Sequence, residues 1–383
     1  MIIGLDGIPL TSLKTGIGHY TFELARALAR VEPAIEFDLP YPSVFSPISL
    51  QQNEPLPSNL KPNRLRVGPI SRHWWSVGLP HYIQRRGIKL FHGTNYDVPL
   101  WKRCATVLTV HDMSLVLHPQ KHKRRSVRRA RRRLPLMARL ANALVVPTKT
   151  IRREVCDQLQ VSADKVFVVP EAARDCFHPV TLEETEAQRH RLGVGNEFVL
   201  AVGTIEPRKN YLALVHAFGE VLVARPELKL QLVIVGARGW LSSGVFEAIE
   251  ESPARERIIL TGYLGDDDLR ALYSSCRCFV YPSMYEGFGL PPLEAMSCGA
   301  PVIAGSASAI AEVTGGAARL VNPASTQEIA RAILELIENE GMRRQLVDAG
   351  RLRTAEFSWS RTALLTLEIY REVIHKNQRH HQL

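Results

Sequence analysis

Short apolar runs of strand length alternate with helical segments along the chain, and they do so in two successive series. The second series is the cleaner one. EFVLAV, LKLQLVIV, RIILTG, CFVYPS, PVIAG and ARLVNP each lead into a turn or a helix. Apolar runs with no in–out alternation, separated by helices, are what strands buried on both faces of a parallel sheet require. IIGL, KLFHG, ATVLTV, ANALVV and KVFVV repeat the pattern in the first half. The predicted fold is therefore α/β, with two Rossmann-like, doubly wound parallel-sheet domains facing across a cleft. The segment from Ala172 to Pro179 reads as the hinge. The expected boundaries are residues 1–175, residues 176–358, and a closing amphipathic helix with its tail over 359–383 that packs back across the hinge. A length of 383 residues suits two domains of ordinary size.

Composition narrows the class. Apolar residues make up 45% and charged residues 22%, as in a soluble globular protein. No apolar run approaches the roughly 20 residues that span a bilayer. The opening MIIGLDGIPL starts directly as a strand, without a basic segment and hydrophobic run of a secretory signal, which predicts a cytoplasmic protein. Six cysteines are scattered without zinc-finger spacing and read as free thiols. A net charge of +10 draws the chain toward nucleic acid, anionic membrane or phosphorylated substrates.

The chemistry concentrates between Tyr281 and Pro301. An apolar strand ends there, a turn Glu286-Gly287-Phe288-Gly289-Leu290 follows, and PPLEAMSCG reads as a helix with Gly299 past its end. Backbone N–H groups at such a turn suit a phosphate. Glu286 lies in the turn and Glu294 about one helical turn in, so both reach one crevice. Carboxylates beside an anion site are suited to holding hydroxyls. A diphosphate on backbone and hydroxyls on two glutamates describe a nucleotide-sugar.

A second turn, Gly203-Thr204-Ile205-Glu206-Pro207-Arg208-Lys209-Asn210, carries two cations at a strand's C-terminal end. A departing diphosphate needs its charge neutralised by a metal or by fixed cations. Asp266, Asp267 and Asp268 fit a helix cap and first turn better than a metal site. Arg208 and Lys209 are therefore favoured over metal, and no cofactor is expected beyond the nucleotide-diphosphate sugar as co-substrate.

In the first half, IIGLDG leads through a long loop into a helix with Gly16, Ile17 and Gly18 at its start. This is a nucleotide-type βα unit without the dinucleotide fingerprint, since Tyr20 and Thr21 stand where a third glycine belongs. His92, Asn95, His111 and Asp112 follow strands, where ligand-facing residues of an open parallel sheet sit. Residues 33–75 are poorly patterned, with weak strands, LRVG among them. Trp74 and Trp75 open a helix predicted from Arg72 to Gly87, as half-buried aromatics or as an acceptor-binding or interfacial edge. Over 121–140, Lys, Arg and His crowd one face while Val127, Ala130, Leu134, Met137 and Leu140 recur at helical steps. This basic amphipathic helix is a solvated face or lies on an anionic membrane surface. Nucleic acid is not expected as a partner, because interleaved aromatics and a nucleic-acid module are lacking.

The string YEGFGLPPLEAMSCGAPVIA resembles the donor-site signature of the retaining GT-B glycosyltransferases, the glycogen-synthase-like family 4. The resemblance is strong from Gly203 to Pro301, moderate from Gly16 to His111 and weak from Pro33 to Arg72. It implies that Glu286 holds sugar hydroxyls and Glu294 the ribose. It implies that Arg208 and Lys209, with Gly203, grip the donor phosphates, and that Gly16, Ile17 and Gly18 close over the diphosphate. Gly236, Arg238, Tyr263 and Leu264 match positions bordering the base. Gly287, Phe288, Gly289 and Leu290 belong to the signature itself. TVHDMSLVLHP resembles a segment in which the histidine contacts the donor sugar near its reacting centre, a role carried to His111 with Asp112 in support. The nearest likeness is to bacterial mannosyltransferases of polysaccharide and lipopolysaccharide assembly. That favours GDP-mannose over UDP-sugars as donor and a glycan or lipid-linked acceptor, with peripheral attachment to the inner face of the cell membrane. Retention by same-face attack needs no protein base. The rival readings are a UDP-sugar-dependent transferase, an epimerase or phosphorylase of related fold, and a non-catalytic membrane-surface scaffold with a relic site.

Overall fold

The computed structural model describes all residues except 13–15, 49–55, 70–71, 102, 308 and 381–383. It contains two compact units. One comprises residues 1–119, 124–171 and 358–383, the other 120–123 and 172–357.

The first unit holds a sheet of seven strands: β1 (Ile2–Leu5), β2 (Glu36–Pro42), β3 (Leu60–Leu65), β4 (Leu90–Gly93), β5 (Ala105–Thr109), β6 (Ala143–Val146) and β7 (Val166–Val168). Every pairing is parallel, in the order β3-β2-β1-β4-β5-β6-β7. β4, β5 and β6 are buried at every position, which is why their sequences are apolar runs without alternation. The second unit holds β8 (Phe198–Val202), β9 (Gln231–Val235), β10 (Ile258–Gly262), β11 (Cys278–Tyr281), β12 (Val302–Gly305) and β13 (Ala318–Val321). These are also all parallel, in the order β10-β9-β8-β11-β12-β13. Both sheets are doubly wound. The order reverses between β1 and β4 in one and between β8 and β11 in the other, and ligands of such sheets lie outside the strand ends at that reversal.

Three local expectations change. LRVG is not a strand: β3 ends at Leu65, leaving Val67 and Gly68 beyond it. The helix predicted from Arg72 starts later, as a π turn over Trp74–Gly78, and becomes α-helical over Leu79–Arg86. Gly87, at φ +71°, closes it. The basic helix begins at Arg124, not Lys121, and runs to Leu140. Lys121's carbonyl, which a continuing helix would offer to the N–H four residues on, instead accepts a bond from Trp240 Nε1 at 2.9 Å.

The apolar stripe of that basic helix is consumed by packing, with Val127, Leu134, Met137 and Ala138 buried. Arg124, Arg125, Arg128, Arg129, Arg131 and Arg132 are exposed. An interfacial helix needs a free apolar face, so only the charged side of this one is available. The helix Trp359–His380 belongs to the first unit and packs on the helix Gly16–Val31. Ala363, Leu367, Tyr370 and Val373 are buried along it, and Thr362 Oγ1 donates to the Pro170 carbonyl at 2.7 Å. Among the described residues, no helix is long and apolar enough to cross a membrane.

Candidate functional site

Two turns meet at the reversal point of the second sheet. One follows β8 and carries Arg208 and Lys209 on a single 3-10 turn, Pro207–Lys209. The other follows β11 and carries Glu286. Arg208 Nη1 donates to Glu286 Oε2 at 2.6 Å and to the Tyr285 carbonyl at 3.0 Å. Lys209 Nζ donates to Glu286 Oε1 at 2.7 Å and also to the Tyr281 hydroxyl. Ser283 Oγ donates to Glu286 as well, and Arg208 Nη2 reaches Glu206 Oε1 at 2.9 Å. The main chain adds one bond between the turns, Met284 N–H to the Arg208 carbonyl at 2.9 Å.

This network is buried, so its charges are set by one another. Burial by itself would raise the Glu286 carboxyl, but Arg208 and Lys209 outweigh it and hold the group down at about 2. Burial draws the Lys209 ammonium down, with Glu286 opposing. Glu206, bonded to Arg208, is raised by burial, with Arg208 and Lys209 opposing. The result is a charged, hydrogen-bonded carboxylate fixed beside two cations.

Glycine is required where the strands' C-terminal ends crowd together. A Cβ on Gly236 would stand 2.0 Å from the Gly203 carbonyl oxygen. Gly289, at φ +100°, precedes the helix Leu290–Ser297, and a Cβ there would meet Ile310 at 2.6 Å. Phe288 and Leu290 send their side chains into the second unit's core, so from this turn it is the backbone of Gly287 to Leu290 that can meet a ligand. Glu294 is buried on the same helix, and Arg174 Nε donates to its Oε1 at 3.0 Å. The same guanidinium donates to Asp266 Oδ1 at 2.8 Å and lies over the Phe177 ring, 4.5 Å from its centroid. Burial raises the Glu294 carboxyl, and Arg174 opposes it. Arg238 is exposed and sits over Phe246 at 4.4 Å. Tyr263 is 46% exposed, and Leu264 packs partly into the core. Asp266, Asp267 and Asp268 occupy the first turn of the helix Asp266–Ser275, capped by Gly265. Among the described residues, no group of three or more His, Cys, Asp or Glu side chains could hold a metal ion.

In the first unit, His111 follows β5 and is buried. Its Nε2 donates to the Thr94 carbonyl at 2.8 Å, and its Nδ1 lies 3.4 Å from Glu171 Oε1. Tyr20 meets the ring edge-on at 4.7 Å. Asp112 is turned to its own backbone, accepting from Ser114 N–H at 2.8 Å. Gly16, Ile17 and Gly18 form the first turn of the helix Gly16–Val31, with Gly18 buried. Asp6, at the end of β1, is buried beside the reversal point. Burial pushes its carboxyl up to about 7 against a bond from Ile8 N–H.

Sequence reasoning missed Arg174, Glu206, Ser283, Asp6 and Glu171. Glu206 stands inside one of the two turns already singled out and Ser283 just before the other, two and three residues from Arg208 and Glu286. Arg174 lies near the start of the second unit's main stretch, where no periodicity marks it.

The family Glycosyltransferase Family 4 matches residues 14–173, and Glycosyl transferases group 1 matches residues 183–353. The chain is 28% identical over 382 residues to O-antigen chain mannosyltransferase B of Escherichia coli, covering 95% of this chain and 97% of that protein. It is 32% identical over 242 residues to the serotype-specific mannosyltransferase WbdA of Escherichia coli, covering 62% of this chain but 30% of that longer protein. Among solved structures, sucrose-phosphate synthase from Thermosynechococcus elongatus superposes with a TM-score of 0.76 at 20% identity, over 98% of this chain and 99% of that one. WaaG, a glycosyltransferase involved in lipopolysaccharide biosynthesis, superposes with a TM-score of 0.72 at 12% identity, over 96% and 99%. With one glycosyltransferase family matched over residues 14–173, another over residues 183–353, and this fold throughout, the chain belongs to the GT-B glycosyltransferases of the group 1 and family 4 type.

Proposed function

We propose that the chain is a retaining mannosyltransferase. It moves mannose from GDP-mannose to a hydroxyl of a lipid-linked glycan in O-antigen or related polysaccharide synthesis. The observation that carries this is the buried network of Arg208, Lys209 and Glu286 at the reversal point of the second sheet. In it, two fixed cations stand beside a carboxylate held ionised. The cations stabilise the departing diphosphate, and Glu286 accepts from sugar hydroxyls. Glu294, held by Arg174, accepts from the ribose. His111, held by Thr94 and Glu171, lies beside the sugar's reacting centre, with Asp112 shaping the turn after it.

In the transfer, the bond from the anomeric carbon to the phosphate oxygen breaks. The acceptor oxygen bonds to that carbon on the same face, and its proton passes to the departing phosphate oxygen. Nucleoside diphosphate leaves, and no protein base is consumed. Mannose is favoured by the names of the relatives in Escherichia coli. The exposed arginines of the helix Arg124–Leu140 support peripheral attachment to an anionic membrane surface through charge alone.

The test is donor turnover across GDP-mannose, UDP-glucose and UDP-N-acetylglucosamine, each with and without EDTA. GDP-mannose consumed fastest, with EDTA making no difference, is the expected result. Preference for a UDP-sugar would replace the donor, chelation followed by rescue with Mg²⁺ would replace fixed cations by metal, and no turnover of any donor would favour a relic site.

A further inference from the structure

The first unit contains a cavity of about 400 Å³ that the donor chemistry does not use. Ile8 beyond β1, Pro42 at the end of β2 and Val67 beyond β3 place it at the C-terminal edge of the sheet, where parallel α/β sheets receive ligands. Trp74, Trp75 and Phe45 supply aromatic wall. Both tryptophans come from the π turn Trp74–Gly78, a distortion that recurs at functional sites.

The charged lining is one-sided. Arg72 and Arg133 join His73, Ser76 and the two indoles, and among the described residues no carboxylate lines the cavity. Two of these donors are buried and have no hydrogen-bond partner: Trp74 Nε1 and Arg133 Nη2. Arg133 is already anchored through Nε to Asp97, which fixes the guanidinium while leaving Nη2 unused. Trp74 is only 7% exposed, with its ring packed against Leu79, Ile83 and Phe91. A buried donor left unpaired is costly, so two on residues lining one cavity call for a ligand that brings acceptor oxygens.

A neutral sugar can meet these donors only with neutral hydroxyl oxygens, without a charge to set against the guanidinium groups. A phosphate fits well: it offers only acceptor oxygens, and guanidinium groups match its geometry. The aromatic walls suit the C–H face of a pyranose ring. We propose that this cavity binds the acceptor through a phosphate-bearing glycosyl unit, with Trp74, Arg72 and Arg133 on the phosphate and Trp75 and Phe45 against the ring. The inference deepens the glycosyl-transfer reading and rests on it.

The experiment is calorimetry of the full chain with mannose 1-phosphate, methyl mannoside, inorganic phosphate and a farnesyl-diphosphate-linked mannose. Mannose 1-phosphate should bind about ten-fold or more tighter than methyl mannoside, as a charge-assisted hydrogen bond implies. Tighter binding still by the farnesyl compound would identify a lipid-linked source, and equal binding a soluble sugar phosphate. Arg72→Gln, at an exposed position, and Trp74→Phe, which keeps an aromatic ring while removing the N–H, should each weaken the sugar phosphate by about three- to ten-fold. In the transfer reaction the same variants should raise the KM for acceptor and leave the KM for donor unchanged. Three results would overturn the inference: inorganic phosphate binding as tightly as the sugar phosphate, methyl mannoside doing so, or affinity indifferent to Arg72→Gln and Trp74→Phe. The last would place any binding at the donor site. Failure of donor turnover in the parent chain would count against the transferase reading instead, since the calorimetric comparison does not depend on it.

Discussion

Lys209 Nζ stands 2.7 Å from Glu286 Oε1, with the two side chains 11% and 8% exposed, although 77 residues separate them. Such a pair is costly to break from one side, because the remaining charge stays buried. Lys209→Ala should therefore do two things at once. It should slow transfer by about 2–4 kcal/mol if the ammonium acts as a fixed transition-state stabiliser. It should also lower thermal stability by about 1–3 kcal/mol. Adding Glu286→Gln to Lys209→Ala should restore stability without restoring rate. An Arg208→Ala/Lys209→Ala double variant with full activity would remove both residues from the mechanism.

The two glutamates should separate by ligand. Glu294→Gln should weaken binding of the bare nucleoside diphosphate and of the sugar donor alike, since both contain the ribose. Glu286→Gln should leave nucleotide affinity nearly intact and lower turnover of the sugar donor, because its contact needs the sugar. Calorimetry beside initial rates distinguishes them. The reverse pattern would exchange the two roles.

Arg174→Met should make nucleotide binding depend on pH. Burial raises the Glu294 carboxyl and Arg174 opposes that rise, so removing the guanidinium moves it further up. Affinity should then fall at mildly acidic pH and recover as pH rises, while Arg174→Lys keeps most of the parent's profile. A uniform loss at every pH would mean that Arg174 serves packing alone.

Acid stability should report on His92. Its Nδ1 lies 2.6 Å from the Tyr370 hydroxyl and its Nε2 2.7 Å from that of Thr109. Burial, assisted by His111, depresses it from 6.5 to about 3. The unfolded chain therefore takes up a proton that the folded one refuses. The stabilisation is complete above the ordinary value and is lost as pH falls from there through the folded value, with a slope of at most about 1.4 kcal/mol per pH unit. Thermal melts of His92→Gln between pH 7 and 4 should start lower than the parent's and fall less steeply. Parallel curves would refute the assignment.

Liposome binding tests the arginine face. Attraction to anionic vesicles should weaken steeply with salt. Arg128, Arg129, Arg131 and Arg132 replaced together by Gln should abolish it, at roughly 1 kcal/mol for each residue near the surface. Equal binding by variant and parent would return these residues to an ordinary solvated face.

The sheets were largely legible because most of their strands are buried on both faces and so read as unbroken apolar runs. β2 and β3 were not, since EFDLPYP and LKPNRL carry prolines and polar residues that hide the pattern. The two turns were legible as separate features, each at the end of a strand. That Arg208 and Lys209 bond to Glu286 was not, because it depends on β8 pairing with β11, and strand order is a long-range fact. His111 shows the same limit: its position after β5 was readable, while the Thr94 carbonyl and Glu171 that hold its ring come from distant segments. The apolar stripe of the basic helix was visible, but only packing decides whether such a stripe meets lipid or core.

The helix Trp359–His380 gives the two units different histories during synthesis. The second unit, apart from residues 120–123, is one continuous stretch and can close as soon as it emerges from the ribosome. The first unit is made first yet lacks the helix that covers Tyr20 and supplies Tyr370 to His92. That surface stays open until residues 359–380 have been translated. The unit that begins first is completed only after the second.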